Sequence, residues 1–209
     1  MYAQERGRPA SDDDGDAQEP QPAGHEDEVF PFSAGDGRPL NLVHVVGDRH
    51  PTRGPVLLVH GAGVRANIFR ALLRANLVDV LAGAGFDVWL LNWRASIDLP
   101  ANQWTLDQAA AHDHPVAVRK LLELTGAGDV KAVIHCQGST SFMMAAVAGL
   151  LPGVNTIVSN AVSLHPVIPL LARWKIDYLC RPVKTLTRYL DPHWGVEAPT
   201  WLPRRWSLT

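Results

Sequence analysis

Residues 133–140 read V-I-H-C-Q-G-S-T, and 139–150 continue with helical character. An apolar strand that runs into a Cys, one spacer and a Gly, and then into a helix, leaves the chain few options. The strand must turn sharply, which lifts Cys136 above the sheet at the first turn of the helix. A helix N-terminus favours an anion at that point, so a thiol there is placed to act as a nucleophile. The tight turn needs small neighbours, a need that Gly138 and Ser139 meet and that Ile134, two residues before the Cys, does not.

A second segment constrains the same site. Residues 54–63 read G-P-V-L-L-V-H-G-A-G, a buried strand followed by a small-residue loop. Such a loop supplies one backbone N–H to a developing oxyanion, here most simply from Ala62, while a second comes from the residue after the nucleophile, Gln137. The order strand, H-G-x-G, helix, strand, helix, strand, elbow resembles the first two thirds of the α/β-hydrolase superfamily. The resemblance implies a mostly parallel sheet with flanking helices, an antiparallel N-terminal hairpin and an incomplete C-terminal part.

Composition sets the outer bounds. The chain has 209 residues, of which 46% are hydrophobic, enough for one core. Its formal net charge is −2, and no basic cluster beyond Arg204 and Arg205 suggests a surface for nucleic acid. The N-terminus lacks an apolar leader and the longest apolar runs are too short to span a bilayer, so a cytoplasmic protein without a transmembrane segment is expected. The two cysteines, Cys136 and Cys180, lack C-x-x-C partners, which argues against a disulfide framework or a metal site and leaves Cys136 a free thiol. No cofactor is expected.

Residues 1–28 are acidic and polar with few large apolar side chains, and are read as a disordered tail. Order is expected from Val29, with strands at 29–32 and 40–46 joined by the A-G-D-G-R turn. Further strands are expected at 55–60, 87–92, 130–135 and 155–162, with helices at 68–82, from Thr105 to Gly126 and at 142–150; Pro115 is placed to kink or split the second. Strands alternating with helices imply parallel pairing through right-handed crossovers. The core is assigned to 29–163. Residues 164–209, with scattered prolines and tryptophans, resemble a lid that is cut short.

The superfamily's chain order is nucleophile, acid, then His. Downstream of Cys136 stand His165, His193, Asp177, Asp191 and Glu197, but no further strand-like run delivers them. The expected acid and base therefore lie beyond Thr209, or His165 or His193 has been recruited, or the domain does not catalyse. The D-V-W-L-L-N-W-R-A-S segment, T-L-D at 105–107 and the H-C-Q-G-S-T elbow resemble two groups. One is the hydrolase module found alone or fused to cholesterol oxidase-type oxidoreductases, with an H-C-x-G-S elbow and an L-H-P-V stretch. The other is polyhydroxyalkanoate synthase, whose elbow also bears Cys; Ile134 and Ser139 depart from its glycines, which favours the hydrolase-like module. The resemblance implies Cys136 as nucleophile, Ala62 and Gln137 as oxyanion donors, and a hydrophobic acyl ester or thioester as substrate. A rival reading is a non-catalytic module that binds a ligand or partner, including a second copy, through an open sheet edge.

Plainer roles fit the remaining residues. His60 is read as fixing its loop, His135 as pointing away from the tip, and His112 and His114 as packing or surface residues rather than ligands, since i and i+2 face apart on a helix. Trp93 and Trp104 are read as wall or core.

Overall fold

The computed structural model describes residues 26–47, 49–70, 76–162 and 169–178. Six strands form one sheet in the order β1-β2-β4-β3-β5-β6. They are β1 (Glu26–Ser33), β2 (Pro39–Val46), β3 (Arg53–Val59), β4 (Phe86–Asn92), β5 (Val130–His135) and β6 (Val154–Asn160). β1 and β2 form an antiparallel hairpin, and β2 pairs antiparallel with β4. The pairs β4–β3, β3–β5 and β5–β6 are parallel. The hairpin thus closes one side of an otherwise parallel sheet, as expected, although β1 begins at Glu26 rather than at Val29, inside the segment assigned to the tail.

The alternating side chains of β3 and β4 divide the core in two. Leu57, Val59, Trp89 and Leu91 face the cluster that holds Ala117, Val118, Leu121, Phe142 and Ala145. Val56, Leu58, Val88 and Leu90 face Ala66 and Val78 on the opposite side. Both faces of these strands are therefore buried, the usual condition of a parallel sheet covered by crossover helices.

Those helices are α1 (Leu77–Gly83), α2 (Leu106–Gln108), α3 (His114–Thr125), α4 (Cys136–Val147) and α5 (Leu170–Tyr178). Where one helix is expected at 68–82, a 3-10 turn (Ala66–Arg70) precedes α1, and Asn76 caps α1 by accepting the Asp79 N–H. Thr105 opens α2 through a capping box with Gln108, which satisfies two backbone donors reciprocally. The expected helix from Thr105 is then interrupted by a π-helical turn, Ala109–Asp113, and resumes with Pro115 in the first turn of α3 and Gly126 as its left-handed C-cap. Pro115 sits where its missing N–H costs least. No described helix is long and apolar enough to cross a membrane. Residues 1–25 and most of 164–209, including His165, Cys180 and His193, lie outside the described residues; α5 falls within the stretch read as a lid.

Candidate active site

β3 is the point at which strand order reverses, with β4 on one side and β5 on the other. In open α/β sheets a crevice forms at the carboxyl ends of the strands at such a point. Three segments leave the sheet there: 60–66 after β3, 93–99 after β4, and the β5–α4 elbow. Two surface hollows, of about 530 and 700 Å³, lie at the opposite ends of the strands, lined by Arg53, Phe86 and Lys131 and by His44, His50 and Asp79. Chemistry and backbone geometry, rather than these hollows, locate the candidate site.

Cys136 has φ 53, in the left-handed region that non-glycine residues rarely occupy. It is the first residue of α4 and directly follows β5, and its thiol is free and exposed. Strain of this kind persists only where surrounding packing over-determines it. Here the packing comes from two glycines. A Cβ at Gly138 would lie 2.2 Å from the His60 carbonyl oxygen, and one at Gly61 would lie 2.9 Å from the Cys136 Cβ and 3.5 Å from its sulfur. The end of β3 and the start of α4 thus touch backbone to backbone, with the Gly61–Ala62 loop beside the thiol. Ser139, fully buried, hydrogen-bonds through its hydroxyl to the Asn160 carbonyl at the end of β6.

Ile134 meets no obstacle of the kind its position suggests. Alternation along β5 turns it, with Val130 and Ala132, into the core beneath α3 and α4, where it is fully buried. The small-residue requirement is met by Gly61 and Gly138 instead.

His60 is buried, and its Nδ1–H donates to the Gly61 carbonyl at 2.5 Å, which fixes the tautomer and the loop together. Burial drives its pKa down to about 4, so it is neutral at pH 7. The Trp93 indole N–H donates to the His60 carbonyl at 2.9 Å. Trp93 in turn packs against Trp104, His60 and His114, the wall role expected of the two tryptophans. His114, also fully buried, lies 2.7 Å from the Ser141 hydroxyl of α4 through Nε2, and burial lowers its pKa to about 3. His135 is half-buried.

Sequence reasoning treated Asp113 only as a neighbour of two histidines and missed its role. The π-helical turn brings Asp113, His114 and Pro115 all inside. Asp113 forms a bidentate pair with Arg94, Oδ2 accepting from Nε at 2.9 Å and Oδ1 from Nη2 at 2.6 Å, and its Oδ2 also accepts the Arg94 backbone N–H. The second partner of Arg94 is Asp36, in the β1–β2 turn. Burial opposes both charges of the inner pair: it pushes the Asp113 carboxyl up despite Arg94, while hydrogen bonds and charge from Asp113 and then Asp36 outweigh it at Arg94 and hold the guanidinium above its ordinary range. At Asp36 burial raises the pKa, but the hydrogen bond and charge of Arg94 prevail and hold it below the usual carboxylate range. Arg94 lies in the W-R segment, yet nothing in the local pattern pointed from it to Asp113.

The described residues contain no group of three or more His, Cys, Asp and Glu able to hold a metal ion. His165 lies outside them.

Comparison with known proteins agrees with this architecture. Residues 54–197 match the α/β hydrolase fold family. Sterol esterase 2 of Saccharomyces cerevisiae is 29% identical over 139 residues, which cover 58% of this chain and 26% of that protein. Lysosomal acid lipase/cholesteryl ester hydrolase of Macaca fascicularis is 28% identical over 167 residues, 73% of this chain and 40% of that protein. The chain therefore spans well under half the length of these relatives. Among solved structures, the esterase Est22 superposes with a TM-score of 0.57 at 16% identity, over 70% of this chain and 47% of that one, and the epoxide hydrolase VrEH1 from Vigna radiata with 0.53 at 17%, over 73% and 47%. A strained strand-to-helix tip at the sheet's crossing point, a glycine loop packed against it and a family match over most of the chain lead to one assignment: the chain belongs to the α/β hydrolase fold family.

Proposed function

We propose that this chain carries the nucleophile and oxyanion half of a hydrolase that cleaves ester or thioester bonds of hydrophobic acyl substrates through Cys136. The observation that carries the reading is the left-handed backbone of Cys136 at the β5–α4 tip, with Gly61 packed against its side chain. In this mechanism the thiolate adds to the acyl carbonyl, and the oxyanion is held by the Ala62 and Gln137 N–H groups. The C–O or C–S bond to the leaving group then breaks, with the proton going to that group, and water releases the acyl chain. The names of the sterol esterase and lysosomal lipase relatives support a lipid ester as the substrate class. In this family's chain order the acid and base follow the nucleophile, and His165 is the candidate base within this chain. The H-C-Q-G-S elbow supports kinship with the hydrolase module of cholesterol oxidase-type proteins. It also leaves an acyltransferase of the polyhydroxyalkanoate synthase type as second reading, because a Cys nucleophile holds an acyl group as a thioester that an alcohol can accept. A binding module without turnover is the third.

The test is intact-mass labelling of the chain with p-nitrophenyl butyrate, followed by peptide mapping. Selective butyrylation of Cys136 over Cys180, lost in Cys136→Ala, is the expected result. Equal, slow labelling of both cysteines would favour the binding module and overturn the enzymatic reading.

A further inference from the structure

Among the described residues, the hydrogen bonds and ion pair that tie the oxyanion loop to another element all run to one neighbour. Trp93 Nε1–H donates to the His60 carbonyl at 2.9 Å, Gly63 N–H to the Ala95 carbonyl at 3.0 Å, Ile97 N–H to the Val64 carbonyl at 3.3 Å, and Ala66 N–H to the Asn92 side-chain oxygen at 3.1 Å. Arg65 adds an ion pair with Asp98 at 3.3 Å. Every one of these partners lies in 92–98, the segment that follows β4. The direction of the Ala62 N–H therefore depends on where 92–98 sits.

That segment is held in turn by Arg94. Its backbone N–H and its guanidinium both bond Asp113, its outer nitrogen bonds Asp36, and its carbonyl accepts Asn102 Nδ2–H at 2.8 Å. The side chains of Arg94 and Asp113 are 1% and 0% exposed. Desolvation of two charges to this depth offsets most of what their attraction returns, so stability alone is a weak reason for such a pair. What the pair does supply is a fixed direction, because a planar guanidinium forked on a carboxylate allows little rotation.

We propose that Arg94 and Asp113 are positioning residues for the oxyanion hole: they fix the turn after β4, and through its bonds to Gly63 and Val64 they aim the Ala62 N–H at the acyl oxygen above Cys136. The claim rests on the thiol acyl-transfer reading and deepens it. Asp36 extends the device to the β1–β2 turn, where Gly35 N–H also donates to the His112 carbonyl at 3.0 Å.

The experiment compares two reactions of the same thiol in the full chain. With p-nitrophenyl butyrate, a C–S bond forms to the acyl carbon, the C–O bond to p-nitrophenolate breaks and the thiol proton is released, by way of an oxyanion. With iodoacetamide, a C–S bond forms as C–I breaks and iodide and a proton leave, with no oxyanion to hold. Asp113→Asn is expected to slow butyrylation of Cys136 by about tenfold or more while alkylation stays at the wild-type rate, since a misaimed donor affects the tetrahedral path alone. Asn102→Ala, which loosens the same turn from its half-exposed side, is expected to give the same split at about threefold. If Asp113→Asn does not fold, the Asn102 variant decides. Butyrylation and alkylation falling together, or neither falling, would overturn the positioning role. Failure of the wild type to butyrylate Cys136 in preference to Cys180 would instead overturn the functional reading and the positioning claim with it.

Discussion

The two flanks of the sheet are built differently. On the β1–β2–β4 side, side chains tie element to element: His44 bonds Asp87 at 2.7 Å and stacks on Trp89, Arg70 forks onto Asp27, and Asn41 accepts from Asn92. Among the described residues, the β6 side is the more exposed. Residues 155–156 and 158–160 of β6 are exposed, Val158 at 56%. A flank finished by side-chain ties and a more exposed one meet at β3 and β5, where the candidate site lies. The proposed nucleophile Cys136 and the proposed oxyanion donors Ala62 and Gln137 follow these two strands.

Acidification should expose the contrast most strongly. His60 and His114 are held neutral at the site by burial, with folded pKa values near 4 and 3, below the unfolded value of 6.5. The unfolded chain then binds more protons, so their contribution is complete above pH 6.5 and declines as pH falls towards 4, at up to about 1.4 kcal/mol per pH unit for each histidine. Urea denaturation from pH 7 to 4 should show that loss, and His114→Asn should flatten it. A pH-independent midpoint would contradict the burial of these rings.

Packing at the crossing point gives the next largest effect. Gly138→Ala places a Cβ against the His60 carbonyl and should destabilise by about 3 kcal/mol. Gly83→Ala, where a Cβ meets nothing within 4 Å, should be neutral or slightly stabilising at the end of α1. Equal thermal midpoints for the two variants would remove the distinction.

The finished flank has a pH signature of opposite sign. The hydrogen bond to Asp87 raises the pKa of His44, which Glu28 also faces from β1 and Trp89 from β4. Its contribution is complete below pH 6.5 and is lost as pH rises through the raised value, while Asp87, whose pKa is lowered, must stay ionised. His44→Gln should cost about 1 kcal/mol near pH 6 and less by pH 9, measured as the gap in urea midpoints. The smallest effect belongs to the more exposed flank, where Val158→Thr should change stability by no more than about 0.5 kcal/mol.

The elbow was legible because its information is local: β5, Cys136, Gly138 and the helix are contiguous, and the H-G-A-G loop announces itself in the same way. Pro115 likewise marked the first turn of α3, the last piece of the helix that starts at Thr105. Long-range polar pairing was not legible. Arg94 and Asp113 are well separated in sequence, and only the π-helical turn, which residue types did not signal, points the carboxylate inward. Ile134 misled for a related reason. Its size conflicts with a small-residue rule stated for sequence positions, whereas space at the tip is decided by Gly61 and Gly138, which approach from different elements. Of the helix expected at 68–82, the described residues show a 3-10 turn at its start and α1 at its end, a difference that apolar spacing alone does not show.

The buried pair also bears on the order in which the chain can fold. Arg94 cannot leave water until Asp113 arrives from the helical segment before α3 and Asp36 from the β1–β2 turn, so three stretches distant in sequence must meet in one event. Non-local meetings of this kind slow folding, since loop closure precedes any reward. The turn after β4, and with it the Gly61–Gly63 loop, should therefore be among the last parts of the sheet's rim to lock, and slowing that docking should delay the ordering of the β5–α4 elbow more than that of the strands.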